Sequence, residues 1–343
     1  MVATLSNLRG NARGCVYTEP LWGIPYNLYA PYMSVYMVAL GLTDVQIGLI
    51  TSISLGMQVF WALVSGAVTD KVGRRRTTLI SDLLTWSLPC LIWAVSQNFT
   101  YFLVAAVFNS AWRISHTSWT CLLVEDTDSA LLVDVYSWIY IANLIAGFVS
   151  PIGGLLIAQF SLVPTVRAMF FLAFVMMTMK FIATNAMTTE TQQGLVRIEQ
   201  TRGQPLFSVL RGSGAVIREI LHSRTVLSVT LLLAILSIYR TISGTFWPIY
   251  VTEKLQIPAA SLSLFQFARS AVMLVAFFTL MPRFRHTDPF RTMMGGFAGL
   301  LLSQIIIIFA PVGSYLVIFI SVTIEAVSFP AVSTLPSTAT ATA

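Results

Sequence analysis

Four polar residues, Asn109, Arg113, His116 and Thr120, recur at intervals of four, three and four within one apolar run, so on a helix they form a single stripe. A charge at the centre of a membrane helix costs about 2.5–3.5 kcal/mol on insertion scales, so a stripe containing arginine must meet a partner or a watery cavity. The chemistry available to guanidinium, imidazole, amide and hydroxyl groups facing a central cavity is binding of a polar solute, interhelical hydrogen bonding without substrate contact being the alternative. Two other runs carry matching faces: Glu19, Trp22, Tyr26 and Met33 on one, Tyr136, Tyr140, Asn143, Gly147 and Ser150 on the other. Further along, Arg240 lies with Ser237, Gly244 and Trp247, and Gln266 with Arg269 and Met273. Glu325 is the carboxylate best suited to exchange a coupling proton, a static pair with Arg240 or Arg269 being the alternative. Lys180, towards the end of its run, is expected to snorkel. Arg113, Arg240 and Arg269 against Glu19 and Glu325 leave the central lining neutral to positive. That balance favours anionic, zwitterionic or neutral polar cargo over lipophilic cations.

Other chemistry finds no support. There is no Gly-x-x-x-x-Gly-Lys-[Ser/Thr] phosphate loop, and His116, His222 and His286 lack metal-ligand spacing. Cys15, Cys90 and Cys121 sit in apolar settings and read as packing residues. Neither catalysis nor a bound cofactor or metal is expected, and the energy source would be a proton or ion gradient.

Helices must position these groups. The chain has 343 residues, of which 56% are hydrophobic and 10% charged, far below the roughly 25% charged residues of soluble domains. Its apolar runs have the length of about 20 residues that crosses about 30 Å of hydrocarbon. Expected spans are 20–41, 46–67, 77–97, 99–123, 134–159, 164–187, 226–251, 259–281, 290–311 and 313–335. The fold class is therefore an all-α polytopic membrane protein. No cleavable leader is apparent, because Arg9, Arg13 and Glu19 interrupt the start. The net charge of +6 follows alternate loops. With the N-terminus in the cytoplasm, Arg9, Arg13, Lys71, Arg74 to Arg76, Arg197, Arg202, Arg211, Arg218, Arg224, Arg283, Arg285 and Arg291 fall inside, against Arg167 and Lys254 outside. The expected location is the cell membrane, with lipid headgroups and not nucleic acid meeting the basic loops. Oligomeric state is not legible.

Three segments are expected: 1–187 with six helices, a polar and basic connection at 188–225, and 226–343 with four helices. Within the connection, Leu206, Val209, Leu210, Val216, Ile217, Ile220 and Leu221 fit an interfacial amphipathic helix as well as a plain connector. The third segment echoes the first at an offset of about 215 residues, aligning Tyr36 and Val38 with Tyr250 and Thr252, and Arg76 and Thr77 with Arg291 and Thr292. Weak internal symmetry of this kind is left by transporters built from repeats.

Between the second and third runs stands Gly66-Ala67-Val68-Thr69-Asp70-Lys71-Val72-Gly73-Arg74-Arg75-Arg76, which fits G-x-x-x-D-[RK]-x-G-[RK]-[RK] at every specified position. It resembles the cytoplasmic loop motif between helices 2 and 3 of the major facilitator superfamily. The resemblance implies a bundle of twelve helices in two halves, of which about ten are present, and a chain cut short at its C-terminal end. It also implies that Gly66, Asp70, Lys71, Gly73, Arg74, Arg75 and Arg76 form a conformational latch, with the aspartate bracing helix 11 in the outward-facing state. A second stretch, Gly147-Phe148-Val149-Ser150-Pro151-Ile152-Gly153-Gly154, is similar to the Gly-Pro-Gly-Gly motif of the superfamily's drug and proton antiporters, one residue short. Gly147, Pro151, Gly153 and Gly154 would there serve helix packing. The antiporters' helix 4 arginine motif is not reproduced, since Ile114 and Ser115 follow Arg113.

The function expected from all this is a secondary active transporter that moves a small solute by alternating access, coupled to protons, with export favoured over import. The alternatives are a non-transporting protein of the same fold and an uptake symporter for anionic or neutral polar cargo.

Overall fold

The structure, a computed structural model, describes residues 8–206, 224–280, 283 and 287–333. Among these residues every regular element is helical. The expected interfacial helix at 206–221 lies, but for Leu206, outside the described residues.

Helix α1 (10–39) is assembled from Gly10–Thr18, Pro20–Tyr29, a 3-10 turn at Ala30–Tyr32 and Met33–Ala39. Its proline at position 25 and the one within the 3-10 turn remove backbone donors and break the rod. Helix α2 (Asp44–Val72) opens on a reciprocal cap in which the Thr43 hydroxyl accepts from the Gln46 amide at 3.3 Å and the Gln46 side chain accepts from the Thr43 amide at 3.0 Å. Helix α3 (Arg74–Ala94) widens into a π segment at Leu83–Ser87. Helix α4 (99–124) bends where Phe99–Ser110 gives way to Trp112–Val124. Helix α5 (Ser129–Phe160) tightens to 3-10 at Gly147–Val149, ahead of Pro151. Helix α6 is Leu162–Met187 and the short α7 is Gln192–Gln200. Then come α8 (224–254), whose last five residues form a π segment after Pro248, α9 (Ala259–Thr279), α10 (Pro289–Ile308) and α11 (Tyr315–Ser333).

Eight of these, α2, α3, α5, α6, α8, α9, α10 and α11, are continuous and apolar enough to cross a membrane. The ten expected spans are thus matched only roughly, because the breaks in α1 and α4 divide two of them into shorter pieces. The aligned repeat positions fall at corresponding places: Tyr36 and Tyr250 near the ends of α1 and α8, Arg76 and Arg291 in the first turns of α3 and α10.

Helix α1 packs on α5 and α6, α3 on α4 and α6, and α4 on α2. Helices α10 and α11 form a close pair in which a Cβ on Gly299 would lie 2.0 Å from the Ser328 hydroxyl. The main apolar core includes Tyr36, Ile47, Ile50 and Phe102 from the first helices together with Ile249, Val251, Leu255 and Ile257 from α8 and the turn after it. This seal lies at the end of the bundle remote from Gly66 to Arg76. Arg167 strengthens it from α6 by donating to the Ser96 carbonyl at 2.8 Å and to the Tyr36 hydroxyl at 3.3 Å. Nearer the motif the buried apolar clusters separate, one built around Cys15, Leu122 and Val135 and another around Leu236, Leu300 and Val332.

Candidate functional site

Between α1, α2, α3, α4, α6, α8 and α11 lies a cavity of about 860 Å³. Its aromatic wall is built by helical spacing on α1: Trp22 and Tyr26, four residues apart, stack with ring centroids 4.6 Å apart, and Trp86 of α3 meets Trp22 edge-on at 5.2 Å. The α4 stripe faces the same space through Asn109, Arg113 and His116, whereas Thr120 does not reach it. Asn109 donates to the Thr85 carbonyl at 2.8 Å, beside the π segment of α3. The guanidinium of Arg113 lies 4.3 Å from the Trp112 ring, and that of Arg240, from α8, lies 4.8 Å from the Phe329 ring of α11. Each arginine rests against a ring, an attraction that leaves the in-plane N–H groups free. Neither makes an ion pair among the described residues.

A second group of charges is set into the cavity wall. The Lys180 ammonium lies 3.7 Å from a Glu19 carboxylate oxygen, and the other oxygen accepts from Asn143 at 3.2 Å. Asp82 of α3 joins them, facing Lys180, Glu19 and the Ser115 hydroxyl. Lys180, Asp82 and Glu19 are only 5%, 6% and 7% exposed. Lys180 therefore does not snorkel; Glu19 draws it inward. Asp82 was missed by sequence reasoning, although a lone carboxylate inside the expected 77–97 span was a signal that could have found it.

Other expected site residues lie elsewhere. Arg269 donates to Glu325 at 2.8 Å and sits 5.9 Å from the Trp247 ring, so these three form a static cluster away from the cavity lining. Trp247 packs edge-on to Phe265 at 5.8 Å, and Tyr140 packs on Phe277 at 5.3 Å. Gln266 donates to the Asn27 side chain at 3.0 Å, tying α9 to α1.

The Gly66 to Arg76 segment ties α2, α3 and α4 to the chain that follows α6. Asp70 pairs with Arg74 at 2.9 Å, and Arg74 also grips Glu125 at the end of α4 with nitrogen to oxygen distances of 3.0 and 3.1 Å. Glu190 caps α3, accepting from the backbone amides of Arg74 at 2.8 Å and Arg75 at 3.1 Å, an arrangement that places negative charge at a helix N-terminus. Thr191 bonds to Glu125, Arg75 to the Asn185 carbonyl at 2.9 Å, and Lys71 to the Gln204 carbonyl at 2.7 Å. Gly73 makes the turn at φ +94°, a conformation that favours glycine. At Gly66 nothing lies within 4 Å of a Cβ built there. No hydrogen bond or ion pair joins Asp70 to α9, α10 or α11 among the described residues, and the carboxylate that caps α3 is Glu190.

The α5 motif is a packing device. A Cβ on Gly147 would lie 2.0 Å from the Ser270 hydroxyl, and one on Gly154 would lie 2.3 Å from the Ala260 carbonyl, both on α9. Gly153 faces the other way, towards Leu28, Tyr32 and Met169. Pro151 occupies the first turn of the second stretch of α5, where its missing N–H costs no helix bond. Ser150 completes the α5 to α9 contact by donating to the Ser263 carbonyl at 3.0 Å.

This bundle, with its central cavity and basic turn after the second helix, defines a multi-pass membrane transporter of the facilitator type. The family pattern of the Major Facilitator Superfamily matches residues 22–343, and the chain belongs to that superfamily. No curated protein sequence matches it. Among solved structures it is similar to the nucleoside transporter NupG, at a TM-score of 0.69 and 12% identity over 94% of this chain and 80% of that one. It is also similar to the peptide transporter POT in complex with sulfate, at 0.62 and 16% over 96% and 82%. The human organic anion transporter MFSD10 (TETRAN) follows at 0.55 and 16% over 94% and 84%. At these identities the likeness is one of fold, and the family makes the protein a transporter and not an enzyme.

Proposed function

We propose that the protein is a secondary active transporter of a small organic solute, coupled to protons and working in the direction of export. The observation that carries this reading is the 860 Å³ cavity, walled by residues of α1 to α4 and α6 on one side and α8 and α11 on the other. Residues 1–187 and 226–343 are the two bodies that rock about it, and 188–225 is the tether between them. The N-terminus lies in the cytoplasm of a cell whose plasma membrane holds the protein, so the cavity faces the cytoplasm and the apolar seal closes the far end. Similar folds in the nucleoside, peptide and organic anion transporters support organic cargo.

The coupling proton is taken up by the Glu19, Lys180 and Asp82 cluster. Two carboxylates share one ammonium there, so one negative charge is unbalanced in a wall of low dielectric until a proton neutralises it. The groups facing this cluster are Cys15 of α1, Ser115 and Trp119 of α4 and Asn143 of α5, none of which carries a positive charge, and His116 of α4 lines the same cavity and carries one only when protonated. Glu325 is already neutralised by Arg269.

The test uses the full chain in liposomes with an imposed pH gradient and a panel of labelled nucleosides, dipeptides and aromatic carboxylates. Gradient-driven movement of at least one is expected. D82N should abolish gradient-driven accumulation while leaving exchange of solute across the membrane intact. Movement that ignores the gradient rejects coupling, and a D82N variant still driven by it rejects the assigned site.

A further inference from the structure

We infer that the cavity binds an organic anion with a flat, ring-bearing body, its acidic group held between Arg113 and Arg240. This deepens the transporter reading and rests on it for biological purpose, though not for its test. The argument begins with charge. Three basic residues, Arg113, Lys180 and Arg240, and two acidic ones, Glu19 and Asp82, line the cavity, leaving one net positive charge. The carboxylates are not distributed evenly. Both belong to the Lys180 cluster, and Glu325 is held by Arg269 outside the lining, so Arg113 and Arg240 have no counter-ion among the described residues.

Two guanidiniums at membrane depth without an anion are costly, and the missing partner is one that enters from solution. Both are held ready for it. Trp112 and Phe329 support them from one side, and both arginines line the same cavity as Trp22, Tyr26 and Trp86. Arginine's planar fork suits a carboxylate, sulfonate or phosphate group.

The body of the ligand is read from the rest of the lining. Trp22, Tyr26 and Trp86 form a continuous stacked and edge-on surface beside the arginines. Such a surface accepts a planar ring system at offset-stacking distance. A volume of about 860 Å³ admits a molecule of drug size. An amine of the same shape would meet the two unpaired arginines against one unbalanced carboxylate, in a lining that is net positive.

Calorimetric titration of the full chain in lipid nanodiscs, with empty nanodiscs subtracted, tests this with three probes of one shape: 2-naphthoate, 2-naphthamide and 2-naphthylmethylammonium. The expected order is naphthoate tightest, with the ammonium at least about tenfold weaker. R113Q and R240Q should each lower naphthoate affinity by about tenfold to a hundredfold, as loss of a hydrogen bond to a charged group does. R113K and R240K, which keep the charge and lose the fork, should fall between, and they serve if a glutamine variant fails to fold. Equal binding of the three probes, preference for the ammonium, naphthoate binding unchanged by the variants, or no binding by any probe overturns the inference. Calorimetry needs no turnover, so naphthoate binding by a protein that moves nothing in liposomes counts against the transporter reading alone.

Discussion

The contact of Gly147 on α5 with Ser270 on α9 makes a quantitative prediction. A Cβ added at Gly147 would lie 2.0 Å from the Ser270 hydroxyl oxygen and 2.7 Å from the Ser270 Cβ. Rotating Ser270 moves its oxygen but not its Cβ, so the helices themselves must part by about 0.8 Å to restore a carbon contact of about 3.5 Å. Overpacking of this size costs about 1–3 kcal/mol. G147A should therefore lower the midpoint of thermal unfolding, scanned at one fixed rate in one detergent. S270G removes the opposing Cβ and itself costs about 0.5 kcal/mol through helix propensity, serine already standing below alanine. The double variant should be more stable than the sum of the single effects by about 0.5–3 kcal/mol, the range of coupling for residues in contact. A G147A protein that unfolds with the wild type, or a double variant no better than the sum, would refute the claim that glycine is needed here for close approach. The same result would remove the reason for treating the α5 glycines as more than ordinary helix residues.

Two further outcomes follow from the motif end. G73A places a Cβ 2.6 Å from a Glu190 carboxylate oxygen and 2.9 Å from Ile198 while holding φ at +94°; it should cost about 1–3 kcal/mol and expose residues 188–206 to limited proteolysis, and an unchanged digestion pattern would count against the Glu190 cap. E125Q leaves the Arg74 side chain, 4% exposed, with Asp70 as its remaining anion; the loss should be on the order of 3 kcal/mol in unfolding stability and larger than for D70N, whose carboxylate is 28% exposed, and equal losses would sink the ranking.

Much of the scaffold was legible because run length alone places helices in a bilayer: α6 spans Leu162–Met187 where 164–187 was expected, and α11 spans Tyr315–Ser333 where 313–335 was expected. What run length does not contain is rotation about each helix axis, which packing decides. That is why Glu325 could be assigned equally to Arg240 or Arg269, while the structure pairs it with Arg269. It is also why Trp247 and Tyr140 shared periodicity with cavity residues yet pack on Phe265 and Phe277. Asn109, Arg113 and His116 of the α4 stripe do line the cavity, since an arginine constrains its helix face more strongly than an aromatic ring does. Asp82 and Lys180 escaped because a single charge near a span end reads as an interface residue until a partner on another helix is seen. Helix α7 was hidden in a polar segment whose amphipathic signal pointed further downstream.

Contacts between the first six helices and the last four differ in kind along the bundle, and the difference bears on how the proposed rocking could work. Around Tyr36, Ile47 and Val251 the contact is apolar side chain on side chain, which can be exchanged for lipid or water over a whole surface. Between α5 and α9 glycine backbone meets the Ser270 side chain at Gly147 and the Ala260 carbonyl at Gly154, tied by Ser150 to the Ser263 carbonyl, with Gln266 bonded to Asn27 beside it. Directional bonds across a near-contact of two helices resist separation but allow a small change in crossing angle, whereas an apolar seal resists neither direction specifically. The α5 to α9 contact therefore has the properties of a fulcrum and the α1 to α8 seal those of a gate. Among the described residues the hydrogen bonds and ion pairs of the Arg74, Glu125 and Glu190 network join α2, α3, α4 and the chain after α6, so rocking of this kind would carry it as one rigid piece. A latch reaching the last helices would have to be made by the open face at Gly66 and by the part of the Asp70 carboxylate, 28% exposed, that its pair with Arg74 leaves accessible.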